Sequence, residues 1–326
     1  MLAGGWHRVV PISESEAPVI LRERALRQHP AVFRAMTGLR VAEFDALLVE
    51  ALPRYAAAER ARLGGRPRRR AIGAGRKYTL PHRDQLLLAI VWLRRYPTNV
   101  VLGYLFGVSE YVALRTVQRV VPLLEALGLD TMRLPDPGRG RRRALDALLR
   151  DTPQLAVVID TFEQRVQRPK ARAEADRHYS GKKKQHTLKS QVAIDEWDGQ
   201  IVDVPPSVRG PTADITLLKE SGLLERLPEG VGGLGDLAYV GIADLHPQGL
   251  GATPRRKPRG QPRPPEDVAY NRAFARRRVR VEHTIRRLRV FEALTQPDRH
   301  HRRGHTARVR AVAGLVNRQV RRRPAA

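Results

Sequence analysis

Apolar residues in the first half of the chain recur every three or four positions. Past about residue 150 they alternate or run together, so helices should give way to strands. Residues 36–55 place Val41, Phe44, Leu47, Leu48 and Leu52 along one side, which predicts an amphipathic helix. A second helix is expected from His82 to Arg95, carrying Leu86, Leu87, Leu88, Ile90, Val91 and Leu93. Between them Gly64-Gly65-Arg66-Pro67-Arg68-Arg69-Arg70 has no period and should be an exposed loop, either tracking a phosphate backbone or simply solvated.

The stretch from Val101 to Val121 is the most informative of this half. A short apolar helix runs into Gly107-Val108-Ser109, and a second helix follows. Gly107 can supply the positive φ of a tight turn, Ser109 can cap the next helix, and Val108 would wedge between the two. Val112, Val117, Val120 and Val121 then face inward, with Arg115, Gln118 and Arg119 outward. That is the layout of a helix-turn-helix, although an ordinary helical hairpin with a basic exterior shares it.

A Pro/Gly-rich bend at residues 128–153, with a short helix expected at Ala144–Leu149, marks a domain boundary. Beyond it Leu155–Ile159 has the composition of a buried strand. Arg165-Val166-Gln167, Leu188–Ile194 and Gln200–Val204 extend the set as an antiparallel meander. A helix from Asp214 to Leu227, a short strand at Leu234–Asp236 and a long basic helix from Asp267 to Leu294 complete a mixed α/β pattern. The expected organisation is an N-terminal arm (1–40), a helical DNA-binding unit (41–130), a linker (131–153), a mixed-sheet domain (154–295) and a basic tail (296–326).

Charge narrows the function. The chain has 326 residues, with 60 Lys and Arg against 33 Asp and Glu, a formal net charge of +27. So positive a surface calls for a polyanionic partner, and nucleic acid is favoured over acidic membranes. The predominance of Arg suits bidentate phosphate contacts, though a coding bias would look the same. With no cysteine, disulfides, thiolate metal sites and a Cys nucleophile are excluded, so any metal must be held by oxygen or imidazole, which favours a hard ion such as Mg²⁺ or Mn²⁺. Neither a signal peptide nor a membrane-spanning segment is expected, which points to a cytoplasmic, nucleoid-associated protein.

Three acids stand out against this charge. Asp160 ends the run Leu155–Ile159, Asp236 follows Leu234-Gly235, and Glu282 lies in the basic helix near the border of an inner side formed by Val279, Val281, Ile285, Leu288 and Phe291. Each has a bland reading: a cap, a turn residue, and an i,i+4 partner of Arg278 or Arg286. Brought together they would repel one another unless cations neutralised them. Two Mg²⁺ roughly 3.5–4 Å apart do this while activating a nucleophile and stabilising a leaving oxygen of a phosphodiester.

At these residues the chain resembles the DDE transposases of the IS5-like and Harbinger-like group. Val157–Glu163 with Gln167-Arg168-Pro169 looks like the family's first-aspartate strand and hairpin, and Tyr179–Lys189 is similar to its Tyr-Ser-Gly-Lys-Lys-Lys block. Gly210-Pro211-Thr212-Ala213-Asp214 corresponds to a segment that often reads Gly-Ser-x-His-Asp. Gly235-Asp236-Leu237-Ala238-Tyr239-Val240-Gly241 resembles the second-aspartate motif Gly-Asp-x-Gly-Tyr-x-Gly. Arg278, Glu282 and Arg289 keep the spacing of the family's glutamate helix, and Leu80–Val121 looks like its N-terminal module. Thr161-Phe162, Ala238, Ala275 and Arg289 depart from the common residues but leave the three acids in place.

The resemblance implies an RNase H-like catalytic domain behind a helix-turn-helix, and a transposase that binds terminal inverted repeats and cleaves and transfers DNA strands as a homodimer or higher oligomer. It implies two Mg²⁺ (or Mn²⁺) on Asp160, Asp236 and Glu282, with Asp214 as rival to Asp236. Asp236 is preferred because it directly follows a strand, whereas Asp214 reads equally as an N-cap. DNA contacts are expected from Arg115, Gln118, Arg119, Lys182, Lys183, Lys184, His186, Arg278, Arg286 and Arg289, the lysine run having a solvated loop as its alternative. His283 should be structural or DNA-contacting, and His300-His301-Arg302-Arg303-Gly304-His305 a basic or disordered tail rather than a zinc site. A DNA-binding repressor derived from such an element, or a nuclease that cuts without joining, remain the alternatives.

Overall fold

The computed structural model describes residues 21–65, 79–139, 145 and 147–321. Three helices come first: α1 (Glu23–Leu26), α2 (Pro30–Thr37) and α3 (Val41–Gly64). The single helix expected over residues 36–55 is thus divided, because Gly38 takes φ 78° and closes α2. Phe44 and Leu47 are buried as expected, but Leu52 is exposed. The basic loop expected up to Arg70 lies outside the described residues from Arg66 onward.

α4 (His82–Arg95) matches the expected span and is buried continuously from Asp84 to Leu93. A helix buried all round must lie inside a bundle, and α2, α3, α5 (Asn99–Phe106) and α6 (Glu110–Leu129) pack around it. The corner between α5 and α6 has the expected helix-turn-helix construction. Gly107 has φ 58°, Ser109 Oγ accepts from the Val112 amide at 3.3 Å, and the two helices bend by 97°. Ala113, Thr116, Val117, Val120 and Val121 form the inner face, with Val112 only half-buried. Among the described residues no single helix is long and apolar enough to cross a membrane.

Of the short helix expected at Ala144–Leu149, only a 3-10 turn at Ala147–Leu149 lies within the described residues. β1 (Leu155–Arg165), α7 (Arg172–His178), β2 (Tyr179–Ser180), β3 (Gln185–Asp195), β4 (Ile201–Asp203) and β5 (Val208–Arg209) follow. β3 pairs antiparallel with the other four strands of this group, which includes the expected meander. The chain then crosses through α8 (Asp214–Ser221) and α9 (Leu223–Arg226) to β6 (Val231–Leu234), parallel to β1. It crosses again through α10 (Ile242–Leu245) to β7 (Gly251–Ala252), parallel to β6. The order β2-β3-β1-β6-β7 is a mixed sheet flanked by helices, the α/β class expected.

β1 is buried on both faces. Ala156 and Val158 join a core shared with the N-terminal helices, α11 (Pro265–Arg289) and α12 (His305–Arg321), while Leu155, Val157 and Ile159 pack with Leu218, Leu223 and Leu224. The segment at 131–153 therefore marks a change of secondary structure within a shared core. Arg277 anchors α11 to the sheet. It bonds both Glu196 oxygens at 2.7 and 2.5 Å, Thr152 Oγ1 at 2.7 Å and the Pro153 carbonyl at 2.8 Å.

The expected basic tail is instead largely helix. In α12 Val309, Val312, Leu315 and Val316 are at most 1% exposed, and the helix lies against α6. The crossing is close enough that a Cβ on Gly314 would stand 2.3 Å from the Gly128 Cα. The apolar three-and-four spacing of α12 outweighs its arginines, and the buried Arg308 is neutralised by Asp298.

Candidate active site

The strand register brings the first two acids together. Val158 of β1 pairs with Leu234 of β6, so Asp160 and Asp236, each two residues further on, leave that pair at the same level on neighbouring chains. Asp160 does not end its strand as expected. β1 continues to Arg165 against β3, with Asp160 opposite Val192, and it is the partner β6 that stops. The opening beyond β6 is what clears space beside Asp160. Two residues past Val158, Asp160 points to the face covered by α11, and Arg278 of that helix stands 3.8 Å from its Oδ2.

α11 buries Tyr270, Ala273, Phe274, Arg277, Val281, Thr284 and Leu288. Val279, expected inside, is 42% exposed, because the inner stripe passes through Arg277 and Val281 instead. This rotation sets Arg278, Glu282, Ile285 or Arg286, and Arg289 along one edge of the helix at three-and-four spacing. Glu282, Ile285, Arg286 and Arg289 line one wall of a cleft of about 1170 Å³. Asp160, Glu163, Lys182, Lys183, Lys189, Asp214 and Arg256 line it as well.

Asp236 is not in that lining, although its neighbours Leu237 and Ala238 are. Its Oδ1 accepts from the Ala238 amide at 2.9 Å and caps a 3-10 turn at Leu237–Tyr239. The turn folds Tyr239 onto Gly235, where a Cβ would fall 2.6 Å from the ring's Cγ. Asp214 does line the cleft, but its Oδ1 is paired at 2.6 Å with Nζ of Lys189, a side chain 10% exposed. The cleft lining includes Asp214 and the strand register aligns Asp236 with Asp160; of the two, Asp214 already has a buried counter-charge.

Burial pushes the Asp160 carboxyl up to about 6. The Thr161 amide, donating to Oδ1 at 2.8 Å, and Arg278 oppose the shift, while Asp236 and Asp214 add to it. The Tyr239 hydroxyl, fully buried, is also pushed up, first by burial and then by Asp214, Asp160 and Asp236. Neither that hydroxyl nor Arg278 Nε has a hydrogen-bond partner.

Among the described residues no three His, Asp or Glu side chains form a ready-made metal cluster. The donor chemistry nevertheless fits a hard cation: the acids offer only oxygen, and burial at Asp160 exceeds what Arg278 compensates.

The expected DNA-contacting residues are not all placed alike. Lys182, Lys183, Arg286 and Arg289 line the cleft. Lys184 occupies the hairpin tip with φ 53°, and His186 rests against the Tyr179 ring at 5.5 Å; neither lines it. Arg278 is turned inward, 13% exposed. On α6 Arg115 and Gln118 are exposed and Arg119 half-buried, with Arg115 Nε donating to the Tyr111 hydroxyl at 2.9 Å. His283 is exposed.

His300 and His305 are not part of a loose tail. His305 is buried between Ser207 Oγ and Gln164 Oε1, both at 2.9 Å, and pushed down to about 4 by burial and Arg308. His300 packs edge-on against Trp92 at 5.0 Å and Tyr96 at 5.7 Å. Lys189 and Arg256 were not anticipated. A lone lysine inside the buried run Leu188–Ile194 was the available signal for the first; Arg256, in an irregular basic loop, had none.

The family model for the DDE superfamily endonuclease matches residues 159–317, through most of α12, and that for the helix-turn-helix of DDE superfamily endonuclease matches residues 78–130. A probable transposase for insertion sequence element IS702 from Microchaete diplosiphon is 32% identical over 243 residues, covering 74% of this chain and 82% of that protein. No solved structure matches.

Proposed function

Because the chain belongs to the DDE superfamily endonucleases and is an insertion-sequence transposase homologue with a helix-turn-helix domain, we propose that it recognises terminal inverted repeats through α5 and α6 and cleaves and transfers DNA strands at the cleft beside Asp160. The observation that carries this reading is the convergence of β1, the end of β6 and the cleft edge of α11 around one half-buried, charge-deficient carboxylate.

The family implies dependence on a divalent metal. We assign its binding to Asp160, Asp236 and Glu282, with two Mg²⁺ or Mn²⁺ expected. When bound, the metal supplies charge to the phosphodiester and lowers the pKa of a nucleophilic water or 3′-hydroxyl. The residues of the chain do the rest. Arg278 holds Asp160 Oδ2 from the helix side, and the Thr161 amide fixes Oδ1, so this carboxylate is oriented before DNA arrives. Lys182, Lys183, Arg286 and Arg289 present positive charge along the cleft walls, suited to holding a phosphate backbone in register. Arg115, steadied by Tyr111, and Gln118 are exposed on the helix that would enter the major groove. The protein would act on chromosomal DNA as a homodimer or higher oligomer.

Asp214 provides a second reading of the second acid, since it lines the cleft with Asp160. Cleavage of an end-bearing duplex in Mg²⁺ separates the two. Asp236→Asn should lose cleavage and keep DNA binding, and Asp214→Asn should retain cleavage. The opposite pattern would transfer the role to Asp214.

A further inference from the structure

Behind the cleft, between α2, the start of α3 and the end of α11, lies a separate groove of about 560 Å³. Arg34, Arg40, Arg94 and Arg287 line it, against one acid, Glu43. Glu43 is already engaged by Arg40: its Oε2 accepts the Arg40 amide at 2.8 Å in the cap of α3, and its Oε1 stands 3.9 Å from the Arg40 guanidinium, which leaves Arg34 and Arg94 without this acid. The floor is Phe291, over whose ring the Arg94 guanidinium sits at 5.6 Å, while Arg94 Nε is buried without a hydrogen-bond partner. Burial and the neighbouring Arg95 disfavour the Arg94 charge, only partly offset by Glu292, and one guanidinium nitrogen is held by the Val290 carbonyl, so an anion entering here would relieve it at the free Nε.

The groove connects to the cleft. Val290, 46% exposed, lines both. The last turn of α11 divides its arginines around that residue: Arg286 and Arg289 face the cleft, and Arg287 faces the groove. A strand crossing Val290 would pass from one set of guanidinium groups to the next. The volume is in the range of ~300–1,000 Å³ typical of pockets for small ligands, which suits a short stretch of one strand rather than a duplex.

We propose that this groove is a second phosphate-binding track, which holds the sugar-phosphate backbone of one strand flanking the bond cut in the cleft. The proposal rests on the DNA-cleaving function assigned above. Arg34 is exposed on α2 and suits the test, since its replacement should leave thermal unfolding unchanged. Binding of the full chain would be measured over a salt series on two duplexes carrying the element's end. One stops at the cleavage site, and the other continues for one helical turn of flanking DNA, about 10 bp.

Arg34→Glu should weaken binding of the flanked duplex several-fold and lower its slope of log K against log salt by about 1, with no change on the unflanked duplex. Arg34→Ala should give a smaller loss in the same direction. Equal binding of wild type and Arg34→Glu on flanked DNA would overturn the proposal, as it would if the groove took an acidic peptide instead. An equal loss on both duplexes would also overturn it. Failure of the wild type to bind either duplex would instead remove the functional reading beneath it.

Discussion

Asp160→Asn should stabilise the metal-free chain at alkaline pH. An acid shifted from 3.8 to about 6 costs the folded state on the order of 3 kcal/mol once ionised. At 23% side-chain exposure the group is too buried for solvent to remove most of this cost. The sign follows from the folded value lying above the unfolded one: the protonated group costs nothing below pH 3.8, and stability is withdrawn as pH rises from 3.8 to about 6, above which the loss is complete. Asparagine keeps an oxygen to accept from the Thr161 amide and carries no charge. Urea unfolding in EDTA at pH 5 and pH 8 measures the effect. The comparison must be between variant and wild type, because His305, depressed to about 4, acts oppositely and withdraws stability as pH falls from 6.5 towards 4. We expect the variant's advantage to be roughly half its full size at pH 5, where the unfolded group is already ionised, and about 2–3 kcal/mol at pH 8, with added Mg²⁺ narrowing it by stabilising the wild type alone. Equal stability at pH 8, or a less stable variant, would refute the argument that Asp160 is held short of counter-charge.

Two further outcomes follow from the fold. Glu196→Ala leaves Arg277 buried without a counter-charge, held only by Thr152 and the Pro153 carbonyl, and should cost about 3–5 kcal/mol in denaturant unfolding, the pair being 4% exposed on each side; a loss below about 1 kcal/mol would show that solvent reaches it. Ser109→Ala removes the cap of α6 and should cost about 1 kcal/mol while weakening end-specific DNA binding. Unchanged specificity would separate α6 from recognition.

Much of this architecture was legible because its cues are local. α4 runs over the expected residues since its apolar run has helical length and no internal breaker, and the α5–α6 corner follows from Gly107 and Ser109 alone. What failed depended on partners distant in sequence. α12 was obscured by the charge density of His300–Arg303, yet its Val309, Val312 and Val316 spacing is helical, and its burial requires α6. Val279 fell on the wrong side because Arg277, paired with Glu196, takes the inner position that a charged residue would normally be denied. Asp160 and Glu282, expected to converge, line one cleft. The choice between Asp236 and Asp214 turns on a β1–β6 register and a buried lysine that no local pattern encodes.

The central claim is that the acids around the cleft perform DNA cleavage, and strand scission at matched occupancy tests it most directly. Wild type, Asp160→Asn and Glu282→Gln would be bound to a duplex carrying the element's end, with occupancy equalised by anisotropy, and Mg²⁺ then added. The account predicts nicked product from the wild type and none from either variant while binding persists. Cleavage by both variants at the wild-type rate would contradict it.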